Sequence, residues 1–82
     1  TLKSEMTIHV FAVLKDYLPE SFVLEKPVAN VEELRAELSK KGDEVARILR
    51  SCRFAVGNTF INSNDSLNPD EEVYIIPPSS GG

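Results

Sequence analysis

Residues 71–82 read Glu-Glu-Val-Tyr-Ile-Ile-Pro-Pro-Ser-Ser-Gly-Gly, and this stretch decides how the chain is organised. Residues 73–76 are all strong β-formers, so they predict a last strand. The strand is expected to end at Ile76, because the proline that follows has no N–H to donate to a neighbouring strand. Residues 77–82 carry little apolar side chain to bury, and we expect them to extend into solvent as a flexible tail.

The tail is suited to reaching into a confined site. Its prolines favour a stiff polyproline II start. Its last two residues are glycines, which lack a Cβ and fit a channel too narrow for other residues. We therefore predict that the functional group is the α-carboxylate of Gly82, although a Gly-Gly end alone also fits an inert terminus. The six tail residues are Pro77, Pro78, Ser79, Ser80, Gly81 and Gly82.

Length, charge and cysteine content narrow the class of protein. The 82 residues suffice for one small domain, and the net charge of −4 argues against nucleic acid and anionic membrane surfaces as partners. The single cysteine, Cys52, excludes an internal disulfide and is typical of a reducing compartment. No secretory leader or membrane span is predicted, so we expect a cytoplasmic protein. The negative net charge favours a basic protein as its partner.

The first half of the chain predicts a hairpin. Residues 7–13 alternate between two faces, with Val10 and Ala12 on one and Phe11 on the other, and predict a strand. Residues 15–20 are polar and predict a turn, and the next strand, from Ser21 to Glu25, should pair with the first in antiparallel fashion. Residues 1–5 carry no pattern and are expected to be a disordered lead or vector-derived, so the domain is predicted at residues 6–76.

The middle of the chain predicts one main helix and a short second one. Residues 30–41 begin with Asn30, which can cap the helix, and Glu33 stands at the third helical position for a reciprocal capping box. Gly42 suits a left-handed stop, and Asp43 is expected to cap the second helix. The apolar stripe of the main helix consists of Val31, Leu34 and Leu38.

The remaining residues predict a second hairpin before the last strand. Residues 53–56 form a strand, Gly57-Asn58 signals a tight turn, and residues 60–61 resume the ladder. The polar residues 62–66 form a loop, and residues 68–71 fit a type I turn. The order β-β-α-(α)-β-β-β predicts an α+β fold in which a mixed sheet packs on one main helix.

Three segments carry a resemblance to a known family: Phe11-Ala12, Arg53-Phe54-Ala55-Val56 and residues 71–82. A small domain of this element order that ends in an exposed Gly-Gly resembles the ubiquitin-like β-grasp proteins. Within them, residues 6–82 resemble the small subunits of molybdopterin synthase. The Pro-Pro pair before the final glycines favours this family over the thiamine-pathway carriers. Small departures from the family pattern are Lys15, Gly57 and Pro69-Asp70.

The resemblance implies a sulfur carrier. In that family the C-terminal glycine carboxylate is adenylated by an activating enzyme that uses ATP, and sulfur then replaces AMP to give a thiocarboxylate. The loaded tail enters a large catalytic subunit, usually within a heterotetramer, and donates sulfur to a cyclic pterin precursor. The implied roles here are sulfur attachment at Gly82, with Gly81 beside it, no cofactor bound by the chain itself, and no catalysis without the large subunit.

The resemblance also implies a partner interface. Phe11, Phe60 and Ile76 match the hydrophobic interface of the family's small subunits. Strand parity supports this independently, because both faces of the sheet carry apolar residues and the helix can cover only one of them. We expect the uncovered face to bind the partner, while burial of these side chains in the core is the alternative.

Several alternatives remain open from the sequence. The chain fits a sulfur carrier for thiamine, thiolated tRNA or cysteine, a ubiquitin-like modifier joined to target lysines through Gly82, or an adaptor with an inert tail. A Cys52–His9 thiol dyad is less favoured than a buried, inert cysteine. No metal site is expected, because the acidic residues lack the spacing of a calcium loop. These are Asp65, Asp70, Glu71 and Glu72.

Overall fold

The computed structural model describes residues 5–24 and 28–78. In these ranges the chain forms five strands, two α-helices and one 3-10 helix. The strands are β1 (Met6–Val10), β2 (Ser21–Leu24), β3 (Arg53–Val56), β4 (Thr59–Ile61) and β5 (Glu72–Ile76); the helices are α1 (Val31–Ser39) and α2 (Asp43–Ser51), and the 3-10 helix is Ala12–Asp16.

The five strands form one mixed sheet in the order β2-β1-β5-β3-β4. The last strand, β5, lies at the centre, parallel to β1 and antiparallel to β3. The two hairpins, β1–β2 and β3–β4, are antiparallel, as the sequence predicts. The predicted α+β fold with a mixed sheet is therefore confirmed.

The hydrophobic core lies between one face of the sheet and the two α-helices. Alternate residues of the central strands enter it, among them Ile8 of β1 and Val73 of β5, both fully buried. Leu34 of α1 and Leu49 of α2 are also fully buried. Each such side chain stabilises the fold by about 1.5–3 kcal/mol relative to an exposed one, so this face of the sheet holds the domain together.

The start of α1 follows the prediction with one shift. Asn30 Oδ1 accepts a hydrogen bond from the backbone N–H of Glu33 at 2.8 Å, so Asn30 is the N-cap. Glu33 Oε1 accepts from the backbone N–H of Ala29 at 2.9 Å, one residue before the expected partner. The reciprocal hydrogen bond of the capping box is therefore made to Ala29, the residue before the N-cap, and not to Asn30 itself.

The junction between the helices differs from the prediction. Gly42 is extended, with φ 158° and ψ 163°, and it is the N-cap of α2. The expected left-handed stop is therefore wrong, because α1 has already ended and Lys40, its C-cap, keeps right-handed helical angles. Asp43 is the first residue of α2 and lies in its first turn, where its carboxylate interacts favourably with the helix dipole.

The first strand is shorter than predicted. It ends at Val10, and Ala12, expected to continue its inner face, is exposed in a 3-10 helix with a positive φ of 55°. The physical reason is the burial of Leu14 and Leu18, which draws the segment back onto the core. The polar turn predicted for residues 15–20 therefore contains one core anchor, Leu18, and Leu14 directly precedes it.

The second hairpin agrees with its sequence signals. Gly57 adopts a positive φ of 62°, which glycine allows without a Cβ clash, and it is followed by β4. Ala55 pairs with Phe60 across this hairpin. The backbone N–H of Glu71 donates to the carbonyl of Asn68 at 3.1 Å, which closes the expected four-residue turn before β5.

Candidate functional site

The sheet face that points away from the helices carries a group of apolar and aromatic side chains, which we call the outer face. Val73 and Ile75 of β5 point into the core, so the alternate residues Tyr74 and Ile76 point outward. Their strand partners lie on the same side by register. The outer face consists of His9, Phe11, Arg53, Ala55, Phe60, Tyr74 and Ile76.

Tyr74 organises one half of the outer face. Its ring stacks on His9 at a centroid distance of 4.6 Å and on Phe11 at 6.2 Å. Glu72 Oε1 lies 3.1 Å from His9 Nε2 and accepts a hydrogen bond from the Tyr74 hydroxyl at 3.3 Å. These contacts hold the three rings in fixed orientations, so this half of the face is a preformed surface.

Phe60 and Arg53 form the other half. Phe60 is 56% exposed, and the Arg53 guanidinium lies over its ring, 5.1 Å from the centroid. Phe11, at the opposite side of the face, is 42% exposed. Soluble monomers seldom leave large apolar side chains grouped on one surface unless a partner covers them.

The structure thus places the three predicted interface residues on one face. Phe11 and Phe60 are exposed, and Ile76 is half-buried at the end of β5. The core alternative is therefore excluded for the two phenylalanines. Their contact with a partner stays a prediction. Sequence reasoning missed Tyr74 and the paired role of His9; strand parity was the available signal for Tyr74.

The tail leaves the sheet directly beside the outer face. β5 ends at Ile76, whose register partner is Arg53, and the chain continues through the half-buried Pro77 to the exposed Pro78. The predicted sulfur-carrying end, Ser79, Ser80, Gly81 and Gly82, lies outside the described residues, as do residues 1–4 of the predicted lead.

Cys52 is buried at the end of α2 and does not meet His9, whose Nε2 faces Glu72. Its Sγ donates to the carbonyl of Ile48 at 3.2 Å. Burial raises the pKa of the Cys52 thiol to about 11, against a smaller opposing effect of Arg35. The thiol is therefore neutral and poorly nucleophilic near pH 7, and the dyad does not form.

A metal site and a membrane-spanning helix are both absent from the part of the chain that the structure describes. There, no three His, Cys, Asp or Glu side chains come together as metal ligands would. Neither of its α-helices has the length and apolar character needed to cross a membrane.

The mixed sheet, the main helix and the outer face beside the outgoing tail define a ubiquitin-like β-grasp protein. The chain belongs to the ThiS family, whose sequence model matches residues 8–82. A curated relative, the molybdopterin synthase sulfur carrier subunit of Chlamydomonas reinhardtii, is 32% identical over 56 residues, or 66% of this chain and 68% of that protein. The resemblance predicted from the sequence is confirmed.

Solved structures show the same fold. One is the complex of subunits 1 and 2 of the molybdopterin-converting factor from Helicobacter pylori, with a TM-score of 0.68, 25% identity, and coverage of 95% of this chain and 99% of that one. A putative molybdopterin converting factor subunit 1 from Pyrococcus furiosus has a TM-score of 0.78, 17% identity, and coverage of 94% and 100%. SAMP1 from Haloferax volcanii has a TM-score of 0.75, 16% identity, and coverage of 96% and 100%.

Proposed function

We propose that this chain is the sulfur-carrier small subunit of a molybdopterin synthase. The observation that carries the proposal is the curated relative, a molybdopterin synthase sulfur carrier that shares 32% of its residues with this chain over the aligned segment. The Pro-Pro-Ser-Ser-Gly-Gly sequence of residues 77–82 supports it, because residues with small side chains form an arm slender enough for a narrow catalytic channel.

The proposed chemistry takes place at the α-carboxylate of Gly82. A carboxylate oxygen attacks the α-phosphorus of ATP on the activating enzyme, and pyrophosphate leaves. A sulfur nucleophile then attacks the acyl carbon, AMP leaves with the carbon–oxygen electron pair, and a thiocarboxylate remains. Its sulfur attacks an electrophilic carbon of the cyclic pterin precursor, and a carbon–oxygen bond at that carbon breaks with its electron pair on oxygen. Water then cleaves the acyl–sulfur bond, which leaves the sulfur on the pterin and returns the carboxylate. The chain contributes the tethered acyl group and no catalytic base of its own.

The outer face has the properties that docking to the large subunit requires. Its rings are oriented before binding, so little side-chain entropy is lost when a partner covers them. The tail begins directly after Ile76, which lies on the same face, so docking brings the start of the arm against the partner. Tethering then gives the thiocarboxylate a high effective concentration in the partner's site. Two such heterodimers would make the proposed heterotetramer.

The test compares the full chain with a variant that lacks Gly82. Each is incubated with ATP, a sulfur donor and the activating enzyme, and its intact mass is measured. The cyclic pterin precursor and the large subunit are then added. The full chain should exchange one oxygen for one sulfur and lose that sulfur as molybdopterin forms, whereas the variant should do neither because its acceptor carboxylate has moved one residue inward.

A variant that lacks Thr1 instead of Gly82 is the matched control, and it should behave as the full chain does. If the chain took up sulfur but did not donate it to the pterin precursor, the result would favour a carrier in another sulfur pathway. Conjugates of higher mass without sulfur exchange would favour a protein modifier. Equal activity with and without Gly82 would refute any role of the tail as the acyl carrier.

A further inference from the structure

Two arginines line one groove next to the outer face. Arg35 of α1 and Arg53 of β3 border it together with Asn62 and Ser63 of the loop after β4, while its apolar wall includes Phe60. We call this groove the basic groove; its polar side is formed by Arg35, Arg53, Asn62 and Ser63, and its apolar wall includes Phe60. It holds two positive charges on a chain whose net charge is −4, and one of them, on Arg35, is paired with Glu32.

Both guanidinium groups are held in place by aromatic rings. Arg35 lies over Phe54, with 5.2 Å from its guanidinium carbon to the ring centroid, and Arg53 lies over Phe60 at 5.1 Å. A guanidinium stacked on a ring keeps its edge N–H groups free to bind planar oxygen acceptors. The groove therefore presents donors that are oriented before a ligand arrives.

The described residues do not satisfy these donors fully. Arg35 Nη1 donates to Glu32 Oε1 and to Ser63 Oγ, both at 3.3 Å, while its buried Nε has no hydrogen-bond partner. Arg53 is exposed and takes part in none of the ion pairs found among the described residues. Arg53 is therefore the guanidinium with which a carboxylate in the groove would pair, since Arg35 already binds Glu32 and Ser63.

The groove is continuous with the proposed docking surface. Arg53 and Phe60 belong to both, and Arg53 is the register partner of Ile76, the last residue before the tail. Any partner that covers the outer face therefore also covers the mouth of the groove. An acidic partner side chain would be favoured there, because an unpaired arginine covered by a protein surface loses its hydration without compensation.

We infer that the basic groove binds a carboxylate side chain of the large subunit, and that Arg53 is a specificity-determining residue for docking. The inference rests on the proposed function and adds the chemistry of the contact. The carboxylate fixes the rotation of the small subunit on its partner, so that Ile76 and the tail point toward the catalytic site. The hydrophobic outer face supplies most of the contact area, and the contact of Arg53 sets the orientation of the small subunit on the large one.

The test measures the dissociation constant between the full-length chain and its large subunit. Arg53→Glu should weaken binding by about tenfold or more, since it places two carboxylates opposite each other, and Arg53→Gln should weaken it less. Arg50→Glu is the matched control, because Arg50 is an equally exposed arginine on α2, away from the groove, and its binding should change by less than about twofold.

Two further measurements make the result specific. Unfolding midpoints of all variants should agree with wild type, and sulfur loading at Gly82 by the activating enzyme should proceed in each. Equal affinity for Arg53→Glu and Arg50→Glu would overturn the inference while leaving the proposed function intact. If Arg53→Glu impaired sulfur loading by the activating enzyme but bound the large subunit normally, the inference would also be overturned. Failure of the wild-type chain to bind any large subunit would overturn both proposals.

Discussion

Cys52 illustrates how burial alone decides the chemistry of a side chain. Its thiol bonds to a backbone carbonyl in the core, and its pKa is raised from 9.0 to about 11. Between these two values the unfolded chain loses the thiol proton and the folded chain keeps it. Since the unfolded state then binds fewer protons, the free energy of unfolding should fall as pH rises from 9 to 11.

We predict that this fall is smaller in Cys52→Ala. Urea unfolding of both chains at pH 8, 9 and 10 measures it, and the difference between the two curves isolates the cysteine from other groups that titrate in this range. The native thiol should also react with iodoacetamide much more slowly than the unfolded one at pH 8. Parallel pH curves for the two chains would contradict the assignment.

Single residues differ in how far the sequence predicts them. The position of Phe11 on an open face followed from strand parity, which depends only on local alternation, whereas Phe60 was assigned to that face through the family resemblance. The contacts of His9 with Tyr74 and Glu72 did not, because they require the parallel pairing of β1 with β5, whose residues lie more than 60 positions apart. Arg53 was part of a family motif, but its stacking on Phe60 depends on the hairpin register.

The turn after β1 contains an alanine in a conformation that favours glycine. Ala12 has a φ of 55°, which costs an L-residue about 1–2 kcal/mol, whereas glycine loses about 0.5–1 kcal/mol of chain entropy instead. Ala12→Gly should therefore leave the free energy of unfolding unchanged or raise it by up to about 1.5 kcal/mol. Urea unfolding at neutral pH measures this change.

Ala36→Gly is the matched control for that substitution. Ala36 is an exposed residue within α1, where glycine costs about 1 kcal/mol relative to alanine. The two variants carry the same chemical change and should move in different directions. If both lost the same stability, Ala12 would not be strained in the folded protein.

At the level of elements, the sequence predicted the caps and turns that neighbouring residues determine. It missed the element boundaries that depend on packing against the core. The cap at Asn30 and the turn at Gly57 are set by neighbouring residues, and both were found. The end of β1 was misplaced because Leu14 and Leu18 act through burial against a core that exists only after folding. Gly42 was misassigned for a related reason, since two helices meet there and the residue caps the second.

The position of β5 makes the whole domain depend on the last strand. It is bonded to β1 on one side and to β3 on the other, and it places Val73 and Ile75 in the core, both fully buried. A domain of this size has a total stability of only about 5–15 kcal/mol. Loss of both ladders and both side chains exceeds what the remaining sheet can compensate.

We predict that a chain ending at Asp70 does not fold, whereas a chain ending at Pro78 folds with the same unfolding midpoint as the full chain. Circular dichroism and proton–nitrogen correlation spectra distinguish the two, with dispersed amide signals expected only for the longer chain. A dispersed spectrum from the chain ending at Asp70 would show that β5 is dispensable. The longer truncation also separates folding from sulfur transfer, because it lacks the carrier end.

The central place of β5 has a mechanical consequence. A force that pulls on Pro77 along the axis of β5 would slide the strand past β1 and β3 at once, so the hydrogen bonds of both ladders share the load and must break together. Pulling on an edge strand such as β4 would instead peel its bonds one after another. The arm is thus tied to the part of the domain that best resists traction, and it can be drawn out of a tight channel without unravelling the body that carries it.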